Sequence, residues 1–240
     1  MALQYNSEAN SQDIVSEILA ICGNITVTDY PLVEITRRFN FALDRYFFLA
    51  FESDGKWNFD DINETSPPID TQDLVSGTNR YKMSAFTEKV LSLIKLELLD
   101  EDDNGISLKP ILFKDLEGSF EDLYINAESG TPTSYIKYGD FIYLDRKPDY
   151  NKTSGLKAYF NRPASYMEHD DTTKVPGTPG VHHEYLCRMA SLPWLVERKV
   201  PQMQGIAQLI QTDEDEIRKY FSRRTKDMKK KMTIAYQNNR

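Results

Sequence analysis

The chain has 240 residues, 40% of them hydrophobic, and a formal net charge of −8. That length supports one domain, or a domain with an inserted lobe, around a real core. The negative balance argues against a free-standing domain that grips DNA, because phosphate contacts favour a basic surface. No apolar run approaches the roughly 20 residues needed to span a bilayer. Cys22 and Cys187 are the only cysteines, each in a predicted helix among apolar neighbours. That points to buried thiols in a reducing compartment, not a disulfide framework. The chain does not open with a basic start and an apolar core, so no secretory signal is expected.

The pattern predicts a first helix over 11–22, with Ser11 as cap, Ile14, Val15, Ile18, Leu19 and Cys22 as its apolar stripe, and Gly23 as its stop. Asp29-Tyr30-Pro31 starts a second helix, Asp29 as N-cap. Its inner face carries Leu32, Ile35, Phe39, Ala42, Leu43, Tyr46 and Ala50. Its outer face carries Glu34, Arg37, Arg38, Asp44 and Arg45. Residues 56–73 read as a loop containing Trp57, which needs a pocket on this subunit or on a neighbouring one.

Residues 78–83 read as a strand. Residues 90–99 give an ambiguous period, although the turn residues that follow favour a strand. The stretch Asp100-Glu101-Asp102-Asp103-Asn104-Gly105 matches the first half of a calcium loop. Its twelfth position is Ile111, which cannot supply the closing carboxylate, and Asn104-Gly105 is a hairpin signal. A hairpin returning along 106–112 is therefore expected, then a short helix around 116–123. Three strands follow at 134–138, 141–144 and 156–161, with a tight turn at Tyr138-Gly139-Asp140 and Leu156, Ala158 and Phe160 on one face. Residues 163–180 form a long irregular link. A helix over 181–198 contains Pro193, which should kink it. A helical stretch over 202–209 precedes a last helix capped by Thr212. Ile217, Phe221, Met228, Met232 and Ala235 give that helix one apolar stripe, and Arg218, Lys219, Arg223, Arg224, Lys226, Lys229, Lys230 and Lys231 make its other faces basic.

His169, His182 and His183, with Asp170, Asp171 and Glu184 beside them, form the cluster to weigh as metal ligands. Adjacent His182 and His183 cannot share a helical face, so polar packing at a helix start is the preferred reading. There is no Ser-His-Asp order, phosphate-cradling glycine loop or CxxC pair. No catalytic residue, metal ligand or cofactor is assigned. The binding feature that stands out is the basic C-terminal helix, with Arg218, Arg223, Arg224, Lys229, Lys230 and Lys231 as candidate partner-docking residues and Trp57 as a candidate hook.

A set of motifs adds a resemblance. In order they are Gly55-Lys56-Trp57-Asn58-Phe59-Asp60-Asp61, Asp73-Leu74-Val75-Ser76-Gly77, Tyr138-Gly139-Asp140 with its apolar strand, Pro148-Asp149-Tyr150, Asn161-Arg162-Pro163, Asp171-Thr172-Thr173, Pro176-Gly177-Thr178-Pro179-Gly180 and His182-His183. From about Phe39 to the C-terminus the chain resembles the head-to-tail connector (adaptor, or neck) proteins of tailed bacteriophages. The resemblance implies a structural virion protein, not an enzyme. It would form a homo-oligomeric ring, expected as a dodecamer, between the portal protein and the tail or other neck proteins. Double-stranded DNA would pass through the channel without sequence-specific binding. The implied location is the virion neck, and the host cytoplasm during assembly, with no membrane. The alternatives are a metal-dependent phage nuclease or other enzyme using the cluster from His169 to Glu184, and a generic partner-binding protein. The fold expected from the pattern is α+β: N- and C-terminal helices (1–55 and 181–240) forming a bundle, with an antiparallel β-sheet lobe (56–180) inserted between them.

Overall fold

A computed structural model describes residues 3–7, 12–53, 60–116 and 118–223. The chain forms two compact units, one of Met1–Asn63 with Ala164–Arg240 and one of Glu64–Pro163.

The described residues of the first unit form four α-helices: α1 (Ile14–Ile21), α2 (Leu32–Ser53), α3 (His183–Glu197) and α4 (Met203–Arg223). Asp13 caps α1, its Oδ1 accepting from the Ser16 N–H at 2.6 Å. The cap expected at Ser11 lies outside the described residues. The α2 stripe is buried as its spacing predicts, from Ile35 through Phe39, Ala42, Leu43 and Tyr46 to Ala50. It packs with Tyr5, Tyr185, Leu186, Ile217 and Phe221 into one core. The break expected before Thr212 does not occur. Thr212 lies inside α4 and donates its hydroxyl to the Gln208 carbonyl at 3.1 Å, a bond made in helix interiors.

The long link is tied down along its length. Asp61, 2% exposed, accepts from the Ser165 N–H at 2.9 Å and from the Asn63 N–H at 2.9 Å. Asn63 Nδ2 donates to the Val175 carbonyl at 2.7 Å. Gly177 lies so close to that carboxylate that a Cβ there would fall 1.6 Å from Asp61 Oδ1. The proline–glycine segment therefore needs a glycine at 177 for space, not for backbone freedom.

The second unit is built on seven strands: β1 (Ile69–Leu74), β2 (Arg80–Lys82), β3 (Ser92–Leu99), β4 (Gly105–Ile111), β5 (Ser134–Tyr138), β6 (Phe141–Leu144) and β7 (Lys152–Asn161). Their order is β1-β7-β3-β4-β5-β6-β2. This corrects the expected architecture. The fold is dominated by a curled seven-stranded mixed sheet, a half-barrel, and is not a helical bundle carrying an inserted antiparallel lobe. The sheet is mixed because β4 and β5 run parallel, Pro110 facing Tyr135 and Ile111 facing Ile136. The connection over 112–133 is long enough to return the chain to the same end, which a hairpin cannot do. It holds a 3₁₀ turn at Phe113–Asp115 and a wide π-type turn at Glu121–Ile125, where one short helix was expected. A further correction is β1, which falls in the expected loop and pairs with β7.

The expected hairpin forms, with Leu99 opposite Gly105. Its bend is made by Asp100, whose Oδ1 accepts the N–H groups of Asp102 at 2.9 Å and Asn104 at 2.7 Å, and by Asp103 at φ +66°. Leu156, Ala158 and Phe160 of β7 are buried together with Leu96 and Leu98 of β3 and Ile142 and Leu144 of β6. The sheet curls until its two edge strands meet through a side chain: Gln72 of β1 donates to the backbone carbonyl of Lys82 in β2 at 2.7 Å.

Arg162 joins the last residues of this unit to its first. Its side chain is 5% exposed, 3.0 Å from Glu64 and 2.8 Å from Glu88, and its Nη2 donates to the Ser66 carbonyl at 2.6 Å. Removing one partner of such a group leaves the others short of compensation. Here Glu64 and Glu88 keep 36% and 33% exposure and can rehydrate. Arg162→Met is therefore expected to lower stability by about 2–3 kcal/mol, below the full penalty for a buried pair. Adding Glu64→Gln and Glu88→Gln should recover part of that loss. Urea denaturation of the three variants checks both expectations.

Candidate functional site

The helix expected to dock a partner is held to its own unit along one side. Ile210, Ile217 and Phe221 of α4 are buried. The Phe221 ring meets Tyr46 of α2 edge-on at 5.9 Å. Glu214, with 10% side-chain exposure, receives both arms of Arg45 from α2 at 2.9 and 2.7 Å. Such fork-to-carboxylate pairing fixes orientation as well as distance. Tyr185 of α3 adds its hydroxyl at 3.4 Å. The Arg45 hydrogen bonds, against the opposing effect of burial, hold the Glu214 carboxyl below its ordinary value. Arg188 of α3 makes a second tie, to Asp213 at 2.6 Å. The middle of α4 is thus pinned by charge to both neighbouring helices.

Of the docking residues expected from sequence, Arg218 lies on α4 with its guanidinium 3.4 Å from Asp215, 3.5 Å from Glu214 and 3.8 Å from Glu52. Carboxylates of its own unit already share that charge. Arg223 is the last residue of α4. Arg224, Lys229, Lys230, Lys231 and Trp57 lie outside the described residues.

The three histidines are not brought to one point. His169 is exposed, and its backbone carbonyl accepts from Asn6. His182 shares a hydrogen bond with the Tyr46 hydroxyl at Nδ1, 2.7 Å, and meets the Tyr220 ring edge-on at 5.0 Å. His183 is 1% exposed. Its Nδ1 accepts from the Leu3 N–H at 3.1 Å, which leaves Nε2 to donate to the Thr178 carbonyl at 3.2 Å. That pairing selects the neutral imidazole. Glu184 is spent on Arg188, and Asp171 accepts from the Glu168 N–H at 2.8 Å. Among the described residues no group of three His, Cys, Asp or Glu side chains could hold a metal ion.

Sequence reasoning missed two surface features. On the sheet unit, Leu93, Ile111, Leu112, Phe113 and Tyr135 line an open cleft of about 360 Å³. On α2, Val33, Phe41 and Phe48 are 66%, 57% and 55% exposed. Their signal was present, since none of the three falls on the inner stripe of that helix. A smaller cleft of about 230 Å³ near the start of α2 mixes Asp29, Glu34 and Glu197 with Arg38 and Arg198. No protein-family model matches the chain, and no curated protein matches it in sequence. Among the described residues, no helix is long and apolar enough to cross a membrane.

The histidines give the unit a pH dependence. Burial, and for His182 the neighbouring His183, hold both imidazoles below their ordinary value of 6.5, against the weaker pull of Asp213 on His182 and of the Thr178 carbonyl on His183. The unfolded chain takes up protons near that value while the folded chain resists them. Stability is therefore complete above it and is lost as pH falls through it. The melting temperature should drop between roughly pH 7 and pH 5, and His182→Gln should flatten the slope. Equal slopes in the two proteins would assign the titration to other groups.

Proposed function

We propose that the protein is a structural head-to-tail adaptor of a tailed bacteriophage, a ring component that joins the portal to the tail around the DNA channel. The reading comes from the ordered motifs, and the geometry gives several of those motifs mechanical work. Asn161 and Arg162 secure the end of β7, Asn161 through a hydrogen bond to Ser92 at 2.9 Å and Arg162 through its two carboxylates. Gly177 fits against Asp61, and His183 holds the Thr178 carbonyl. Motif residues that build the frame, without converging on a reactive centre, suit an assembly protein.

The observation that carries the reading is the way α4 is fixed. Among the described residues, α4 is held by the buried Ile210, Ile217 and Phe221 and by ion pairs to α2 and α3 at Glu214 and Asp213. The sequence over 224–240 then holds six cations against one acid, in a chain whose net charge is −8. A rigidly anchored helix leading into a cationic segment suits docking onto an acidic portal or neighbouring subunit. Charges at such a contact mainly set encounter rate and salt dependence, and apolar residues supply most of the affinity.

Cutting the chain after Asp227 removes none of the buried side chains described above. The truncated protein is expected to keep its circular dichroism and to lose co-sedimentation with portal rings. Neutralising Arg223, Arg224, Lys229 and Lys230 should weaken docking and flatten its salt dependence. Unfolding of the truncated chain, or portal binding by both variants at the level of the intact protein, would refute the docking role.

A further inference from the structure

The outward stripe of α2 is unusual for a helix whose other side is a full core. Val33, Phe41 and Phe48 stand 66%, 57% and 55% exposed. Successive steps of three and four residues link Val33, Arg37, Phe41, Asp44 and Phe48 on one side of the helix. At 1.5 Å per residue the stripe runs about 22 Å. Two aromatic rings and a valine, with the Arg45 guanidinium 5.6 Å from the centre of the Phe48 ring, alternate over that length with the charges of Arg37 and Asp44.

The stripe is complementary to itself. Turn a second α2 antiparallel about a two-fold axis between Asn40 and Phe41. Val33 then faces Phe48 of the second copy, and the two Phe41 rings meet near the axis. Arg37 comes opposite Asp44 of the second copy, twice. In the free unit Arg37 pairs with the half-buried Glu34 at 2.7 Å, which Arg38 also holds at 2.8 Å, and Asp44 accepts from the exposed Tyr166 hydroxyl at 2.7 Å. Arg37 is 58% exposed, so it can reach outward without leaving a buried carboxylate behind. The same patch on both partners is the signature of an isologous contact.

We propose that this face of α2 is a homodimer interface, in which two copies pack antiparallel through Val33, Phe41 and Phe48 with Arg37–Asp44 pairs at either side. The inference does not depend on the adaptor reading. A two-fold contact closes on itself, whereas a ring needs two different surfaces. One helix face of this length buries less than a standard interface of about 1,600 Å², so the dimer is weak, with a Kd on the order of micromolar.

Analytical ultracentrifugation of the full chain from about 1 to 200 µM tests it, spanning the range in which such a contact titrates. A monomer–dimer equilibrium is expected. Phe41→Glu should raise Kd by about a hundredfold or more. It should leave the fold intact by circular dichroism, because the ring is exposed. Arg37→Asp and Asp44→Arg should each weaken the dimer by about tenfold, and the two together should return it to within about threefold of the original. Monomer across the whole range overturns the proposal, and so does a dimer indifferent to Phe41→Glu. A charge-swapped double variant no tighter than the single ones overturns the antiparallel register. A chain ending at Arg223 that dimerises much more tightly would make the protein's own C-terminal residues the occupant, and overturns it too.

Discussion

Arg162 brings a full positive charge into the sheet unit at 5% exposure, and the chain around it is arranged to make that tolerable. An isolated buried guanidinium would cost several kcal/mol, and its carboxylates and carbonyl offset that cost in the folded unit. Glu64 and Ser66 come from the first residues of the unit, Glu88 from the approach to β3, and Arg162 itself from just beyond β7. Satisfying one charge thus fixes where the chain enters the unit and where it leaves. The long strand β7 hangs from that point, with β1 on one side and β3 on the other.

The helical unit uses the same device in a different place. Glu214 gathers Arg45, Tyr185 and Arg218, and so sets α4 on α2 and α3. Both units place a mostly buried ionic group where separate segments must be held in a fixed register. Apolar packing alone would tolerate sliding, because Leu and Ile side chains interdigitate in several registers, while a forked guanidinium–carboxylate pair accepts few. Such ionic groups bring modest net stability, and their larger contribution is a fixed register.

The helices were legible because their apolar spacing is regular and tertiary packing agrees with it. Six of the seven inner-face residues read for α2 are buried, from Ile35 to Ala50, although Phe47 and Leu49 were missed; β5 and β6 followed from their flanking turns and residue types, and the buried face of β7 from alternation. What failed has identifiable causes. Strand direction leaves no mark on alternation, so the parallel pairing of β4 with β5 was invisible. In β3 a bulge between Leu93 and Lys95 breaks the period and leaves Ile94 40% exposed, which explains why residues 90–99 fitted neither template. β1 was missed because an edge strand is only partly covered, and Asp70, Thr71, Gln72 and Asp73 look like loop residues. Thr212 looked like a cap because its side chain can serve either end of the same competition, with the backbone or with solvent. In the candidate site, the anchoring of α4 by Glu214 could not be foreseen, since its partners lie far away in sequence. The two outward phenylalanines of α2 were legible and were passed over in favour of its charges.

The single hydrogen bond from Gln72 to the Lys82 carbonyl has a consequence for crowded assemblies. An open sheet ends in two rows of backbone donors and acceptors that can recruit any passing strand, and many copies held close together multiply that hazard. Curling β1 towards β2 lets a side chain of one edge strand occupy a backbone carbonyl of the other. Arg80 and Lys82, both exposed, stud the short strand β2 with positive charge. One acceptor of the edge is thereby filled and the short strand beside it is guarded by charge, which makes templating by a second strand less favourable.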